Sequence, residues 1–132
     1  MKGELEQQTI SEAELKLLQV IWLFGNATAQ EISEVLCEKN HWDPATIKTF
    51  LFRLTKKGVL RTEKVGRSFL YFANLNEQDV LRKQVEKLLE SVRKEMQIYI
   101  LEFLILQVSF SVSEASQLVN LIEGKIGVFS KD

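Results

Sequence analysis

The chain has 132 residues, 45% of them hydrophobic, with one proline, one cysteine and a formal net charge of −1. That length holds one compact domain, or a small domain with an oligomerisation arm, and the lone cysteine excludes an internal disulfide framework and fits a reducing cytoplasm. Met1–Thr9 is polar and acidic with no export signal, and the longest apolar run, Ile98–Leu106, is broken by Glu102 and too short to span a bilayer, so no membrane partner is expected.

Ser11-Glu-Ala-Glu14 has the form of a capping box, and Leu15, Leu18, Ile21 and Trp22 follow at helical spacing. The pattern predicts a helix over Glu12–Phe24 that stops at Gly25-Asn26. Thr28-Ala-Gln-Glu31 repeats the capping signature and opens a second helix with Ile32, Val35 and Leu36 inward; Glu38–Trp42 reads as a polar turn. Asp43–Lys57 is the next helix. Asp43 suits its N-cap, Pro44 its first turn, and Gly58 a left-handed stop.

Ile47, Phe50, Leu51 and Leu54 form the apolar face of that third helix. The opposite face carries Ala45, Thr46, Lys48, Thr49, Phe52, Arg53 and Lys56, and no acid. Small and hydroxyl side chains in the first turns, with cations mostly after them, suit a helix that approaches base edges while Arg and Lys hold phosphates. The alternative is an ordinary amphipathic helix with a solvated basic face.

Leu60–Val65 and Ser68–Ala73 read as two strands around a Gly66-Arg67 turn. Phe69 and Tyr71 alternate with Leu70 and Phe72, so both faces are apolar. Arg67, at the tip, either lies near the backbone or minor groove of adjacent DNA or is a solvated turn residue. Asn74–Asn76 is a joint, and Asn76 can cap a further helix with Asp79 at its third position.

Leu81, Val85, Leu88, Val92, Met96, Tyr99 and Phe103 then recur every three or four residues, with Leu89, Ile100 and Leu104 widening the stripe. The spacing predicts one long helix. Such a stripe must fold back on its own domain or pair with the same helix of a second copy, and the second solution is the economical one. Gln107–Ser113 reads as a short extended link, and Ser113 as the cap of a last helix with Ala115, Leu118, Val119 and Ile122 that ends near Gly124.

Charge is segregated along the chain. Pro44–Arg67 holds seven cations (Lys48, Arg53, Lys56, Lys57, Arg61, Lys64 and Arg67) against the single acid Glu63, whereas Met1–Asp43 holds three cations and eight acids. Screening acts over about 8 Å at physiological salt, so distant acids do not cancel such a patch. A local basic window is the electrostatic footprint of phosphate binding.

Three helices followed by a hairpin give a winged helix-turn-helix. The expected fold is therefore mainly α with a small β-hairpin wing: a DNA-binding domain over residues 1–75 and a C-terminal helical dimerisation arm over residues 76–132. The expected partners are a double-stranded DNA operator and a second copy of the chain. A winged helix used for protein–protein contact is the alternative, but it has no need of the basic window. Enzymatic chemistry is not expected. Cys37 and His41 are four apart and on a continuing helix would share a face, but two ligands are too few for a structural zinc site. Cys–His catalysis lacks a group to orient the histidine, and there is no Gly-rich phosphate loop, so no metal or other cofactor is assigned.

The blocks Val20-Ile-Trp22, Gly25, Thr28, Glu31-Ile32, Trp42, Thr46-Ile-Lys-Thr49, Arg53-Leu54, Lys57-Gly58, Lys64, Gly66-Arg67 and Tyr71 jointly resemble the penicillinase-repressor (BlaI/MecI/CopY) family of bacterial winged-helix proteins over about residues 10–95. The resemblance implies a homodimer that sits on a promoter palindrome and blocks transcription. By matching motif position it implies that Thr46, Lys48 and Thr49 meet bases or phosphates, with Arg53, Lys56 and Arg67 on the backbone. Phe52 departs from the usual polar residue there; an exposed Phe can meet a thymine methyl group or shift the operator preference.

Within the family, the β-lactam branch is inactivated by cleavage at an Asn-Phe bond in the arm, and no Asn here precedes Phe. The copper branch carries a Cys-x-Cys pair near its C-terminus, and the tail Ile126–Asp132 holds no cysteine. Gln84-Val-Glu-Lys-Leu-Leu89 and the spacing of the arm nevertheless look more like the copper branch. The resemblance therefore implies control of copper-homeostasis or β-lactam-resistance-type genes and leaves the inducer open.

Overall fold

The computed structural model describes residues 9–127. Residues 1–8 and 128–132 lie outside them, including most of the polar start and the end of the cysteine-free tail. In chain order the elements are α1 (Glu12–Phe24), α2 (Ala29–Asn40), α3 (Pro44–Lys56), β1 (Leu60–Val65), β2 (Ser68–Ala73), α4 (Glu77–Glu90), α5 (Lys94–Gln107) and α6 (Val112–Ile126). They fall into two compact units, one ending at Lys87 and the other starting at Leu88.

In the first unit α1 starts where its sequence closes a reciprocal cap. The Ser11 hydroxyl accepts from the Glu14 amide at 3.1 Å, and the Glu14 carboxylate accepts from the Ser11 amide at 3.0 Å. Thr28 and Glu31 do the same for α2, at 3.1 and 2.8 Å. Each cap satisfies amides that the first helical turn leaves without partners. Helix α2 runs on to Asn40, further than the expected turn at Glu38, because the left-handed residue that ends it is His41, with φ at 57°. The loop between α2 and α3 is thus the short segment His41–Asp43.

Helix α3 begins on Asp43, whose carboxylate accepts from the Ala45 amide at 3.5 Å, and has Pro44 in its first turn. It ends in a Schellman motif: the Val59 amide donates to the Leu54 carbonyl at 2.9 Å and the Gly58 amide to Thr55 at 3.1 Å. The chain can make this reversal because Gly58 sits at φ +84°, a left-handed conformation that costs glycine nothing sterically.

Leu17, Leu18 and Ile21 of α1, Ile32 and Leu36 of α2, and Ile47, Leu51 and Leu54 of α3 close over one core with Ala27, Val59 and Leu60. Each large side chain taken fully out of water is worth about 1.5–3 kcal/mol, more than any single cap, so packing fixes how the three helices cross. Trp42 packs against this core and stacks on Phe50 with ring centroids 5.4 Å apart.

Strands β1 and β2 pair antiparallel from Leu60↔Ala73 to Val65↔Ser68 around a two-residue turn, where Gly66 has φ +63°. The free edge of β2 is occupied too. The Ala27 amide donates to the Tyr71 carbonyl at 3.2 Å and the Tyr71 amide to Ala27 at 2.8 Å, anchoring the hairpin to the α1–α2 connection. Asn74 locks its base: its side-chain amide donates to Gly58 O at 2.8 Å and its backbone amide to Val59 O at 2.9 Å. The Trp22 indole N–H donates to the Leu75 carbonyl at 3.0 Å, so α1 also holds the joint. Asn76 caps α4, accepting from Gln78 and Asp79 amides at 2.9 and 3.2 Å, and Val80 is buried.

The expected single long helix is instead two, α4 ending at Glu90 and α5 starting at Lys94, with the break inside the second unit. The break has a local cause. Ser91 turns its hydroxyl back onto the Leu88 carbonyl at 2.7 Å, and the Ser91 and Val92 amides close tight turns on Leu88 and Leu89. Arg93 is extended (φ −71°, ψ 161°), and the Gln97 side-chain amide takes up the Leu89 carbonyl at 2.8 Å. Helix α6 also starts earlier than expected. Its cap is Ser111, not Ser113, because only Ser111 has a glutamate three residues on: Glu114 accepts from the Ser111 amide at 2.8 Å and the Ser111 hydroxyl accepts from the Glu114 amide at 3.1 Å. It ends at Ile126 on a left-handed Gly127, beyond the expected Gly124. Among the described residues no helix is long and apolar enough to cross a membrane.

Candidate nucleic-acid interface

The burial of α3 divides it along its length. Ile47, Leu51 and Leu54 are at most 1% exposed, and Phe50 is half-buried on Trp42. Ala45, Thr46, Lys48, Thr49, Phe52, Arg53 and Lys56 all face water. The helix dipole puts partial positive charge at the Pro44 end, and Arg53 and Lys56 occupy the last turn. The exposed face carries the cations Lys48, Arg53 and Lys56 and no acid, with Asp43 at its entrance the nearest acid in sequence.

Not every cation of the basic window is free to meet a partner. Lys57 donates to the Glu14 carboxylate at 3.1 Å. Arg61 lies over the Phe72 ring at 4.5 Å and donates to the Asn74 side chain at 3.3 Å. Lys48, Arg53, Lys64 and Arg67 form no ion pair among the described residues, and Lys56 contacts only the Phe52 ring, at 5.8 Å. The available charge is therefore Lys48, Arg53 and Lys56 on α3 and Lys64 and Arg67 on the wing. Lys64 belongs to the basic window and to the family blocks, but the sequence alone assigns it no contact. Its signal was the hairpin alternation, which puts it on the opposite strand face from Glu63, next to the tip and across from Phe69.

Arg67 is exposed in the tight turn. The hydroxyl of Thr49 is engaged with its own helix, donating to the Ala45 carbonyl at 3.0 Å. Cys37 is half-buried against the core while His41 lies past the end of α2 in a left-handed conformation, so the one-face spacing of a continuing helix does not apply to them. Among the described residues no group of three or more His, Cys, Asp and Glu is placed to hold a metal ion.

A sequence model described as "Penicillinase repressor" matches residues 10–124. The chain belongs to the penicillinase-repressor family. An uncharacterized 16.5 kDa protein in the ptsI 3′ region of Latilactobacillus sakei is 32% identical to this repressor-family chain over 116 residues, covering 88% of it and 80% of the relative. The penicillinase repressor of Bacillus licheniformis is 42% identical over 72 residues, 54% of this chain and 56% of that one. Among solved structures, that of the B. licheniformis BlaI monomeric form in complex with the blaP half-operator has a TM-score of 0.50 at 42% identity, over 55% of this chain and 88% of that one. The head of this penicillinase-repressor family member is thus a winged helix-turn-helix of the kind found in transcriptional repressors, and α3 stands second in its helix-turn-helix.

The apolar stripe chosen as a dimerisation surface is distributed over both units. Leu81, Val85 and Leu88 lie on α4, Val92 lies in the break, and Met96, Tyr99, Ile100 and Phe103 lie on α5. Val85, Leu88, Tyr99 and Phe103 are each about half exposed, and Tyr99 and Phe103 stack with centroids 6.5 Å apart. Exposure is not confined to that stripe. Ile98, Leu101 and Ile105 of α5, and Leu118, Leu121 and Ile122 of α6, also face water.

Proposed function

We propose that the chain is a homodimeric repressor that occupies a palindromic promoter operator, with α3 in the major groove and the wing on the flanking backbone. The observation that carries this is the exposed face of α3, which bears no acid and carries Lys48, Arg53 and Lys56 without ion pairs among the described residues. Ala45, Thr46, Lys48, Thr49 and Phe52 are the groups for bases and nearby phosphates, and Arg53, Lys56 and Arg67 those for the backbone. A half-operator bound by a BlaI chain with 42% identity over the head supports the same use of this one.

Residues 1–75 serve as the DNA-binding domain and residues 76–132 as the dimerisation region, through Leu81, Val85, Leu88, Val92, Met96, Tyr99, Ile100 and Phe103. Exposed large apolar residues along α4, α5 and α6 favour a second copy, because apolar surface on that scale is poorly tolerated in a monomer. A protein of this kind works on chromosomal DNA in the cytoplasm. Its targets would be of the copper-homeostasis or β-lactam-resistance type, the genes that the family resemblance names.

The test is binding of the full chain to duplexes containing inverted repeats, measured across ionic strength. A dimer making six or more phosphate contacts loses about 10³-fold or more in affinity between 50 and 200 mM salt. A monomeric chain, or one that binds no inverted repeat at modest salt, overturns the proposal.

A further inference from the structure

Phe52 is 67% exposed on a helix that otherwise hides its large apolar residues, and its ring contact is Lys56 one turn on, at 5.8 Å. It does not stand by itself. Ala45, Thr49 and Phe52 are spaced four and three apart, which puts them in one line along the exposed side of α3. The Thr49 hydroxyl donates its hydrogen bond to the Ala45 carbonyl, at 3.0 Å, so toward a partner Thr49 offers a methyl group and lone pairs but no donor. The line is thus methyl, methyl and aromatic ring, an apolar strip about 10 Å long by the rise of the helix. Lys48 and Arg53 flank it and Lys56 extends it by one turn, while the nearest acid in sequence is Asp43 at the helix entrance, its carboxylate 3.5 Å from the Ala45 amide.

The flanking cations argue for a polyanion as the occupant of this strip and against an apolar protein groove. A duplex offers such a strip one apolar group at its major-groove base edges, the C5 methyl of thymine; the other groups that distinguish the base pairs there donate or accept hydrogen bonds. A polar base edge pressed against Phe52 would lose its water and gain no partner. Resting on the proposal that α3 enters the groove, we propose that Ala45, Thr49 and Phe52 read thymine methyl groups, with Phe52 the main reader. The preferred duplex then carries thymines within about three consecutive base pairs of each half-site, the number that a strip of this length spans at about 3.4 Å per pair.

The experiment begins with selection of a preferred duplex from a randomised pool by the purified full chain. Each thymine of that duplex is then replaced by uracil, which lacks only the methyl group, and affinity is read by fluorescence anisotropy at fixed salt. One lost methyl contact is expected to weaken wild-type binding about fourfold, the equivalent of about 0.8 kcal/mol per buried carbon. Phe52→Ala should bind the thymine and uracil duplexes equally at the position read by Phe52 and keep the salt dependence of wild type. Phe52→Leu, which retains an apolar group, should keep part of the discrimination. Indifference of the wild-type chain to uracil at every position overturns the inference, as does discrimination unchanged in Phe52→Ala. Both outcomes leave the operator-binding proposal standing; failure to select any duplex overturns that proposal and this one with it.

Discussion

Glu14 and Lys57 meet at 3.1 Å although 43 positions separate them in sequence, joining the first turn of α1 to the cap that ends α3. Both carboxylate oxygens are in use, Oε1 by the Ser11 amide and Oε2 by the lysine. The Glu14 side chain is 7% exposed and that of Lys57 40%, so the pair sits at the margin of the core. One acid thereby closes a helix start and pins the far end of the helix that carries the basic face. It also withdraws Lys57 from the charge available to a partner.

Acid should loosen that link. Burial pushes the Glu14 carboxyl up, but the Ser11 amide, the bond to Lys57 and its charge, and the Ser11 hydroxyl together hold it below the ordinary carboxylate value. A depressed folded-state value means that the contribution is whole above the unfolded value, about 4.3 for Glu, and is lost as pH falls through the folded one. Glu14→Gln keeps an oxygen for Ser11 and loses the charge. It should cost about 1 kcal/mol at pH 7 by urea unfolding, a figure held down because Lys57 is partly solvated. Glu14→Ala, which loses the cap as well, should cost about 2 kcal/mol. The difference between wild type and Glu14→Gln should be constant above the ordinary carboxylate range and shrink as pH falls below it through the depressed folded-state value; a difference that does not change at any pH at which the protein stays folded would show that the carboxylate charge contributes nothing.

What was legible in the sequence is what the chain decides locally. The Ser11/Glu14 and Thr28/Glu31 boxes, the Asp43-Pro44 start, the Gly58 stop and the Gly66-Arg67 turn each use residues within a few positions of one another. The exposed face of α3 was legible too, because burial follows the helical period. The Ala27–Tyr71 bridge, the Trp22–Leu75 hydrogen bond and the Glu14–Lys57 pair join distant positions and left no periodic signal. For the same reason the withdrawal of Lys57 and Arg61 from the basic window could not be read from counts of charge. The break at residues 91–93 escaped because Leu88, Val92 and Met96 keep helical spacing straight through it. Periodicity reports which face is apolar and is blind to a turn that preserves the phase.

The break itself predicts an unusual tolerance. Lys94 is the first residue of α5 and follows an extended Arg93. Proline suits both conditions, since it needs no N–H at the first helical position and favours an extended residue before it. Lys94→Pro should leave circular-dichroism helicity and thermal stability within a few tenths of a kcal/mol of wild type. Were residues 77–107 one continuous helix, the same substitution would cost about 3 kcal/mol, and a loss of that size would refute the break.

The start of α6 can be checked by a matched pair of serines. Ser111 caps the helix with Glu114 in reciprocal bonds, and Ser113 lies inside its first turn. Ser111→Ala should lower the stability of the second unit by about 1 kcal/mol, whereas Ser113→Ala should leave it unchanged within about 0.5 kcal/mol. Amide hydrogen exchange of Ser111 and Glu114 is the direct measurement, because the reciprocal cap engages these two amides. Equal protection in both variants would place the helix start elsewhere.

The wing and α3 should contribute separately to the salt dependence of operator binding. Arg53 and Arg67 are both exposed without ion pairs among the described residues, one in the last turn of α3 and the other at the hairpin tip. If each holds a phosphate, Arg53→Ala and Arg67→Ala should each lower the slope of log K against log salt by about 1 per half-site and weaken binding alike on preferred and scrambled duplexes. Lys83, exposed on α4 and outside the basic window, gives the control, and Lys83→Ala should leave the slope unchanged. A slope unaltered in Arg67→Ala would take the hairpin tip off the backbone and leave Lys64 as the wing's remaining cation. A slope that falls equally in Lys83→Ala would mean that the whole surface, and not this face, meets the DNA.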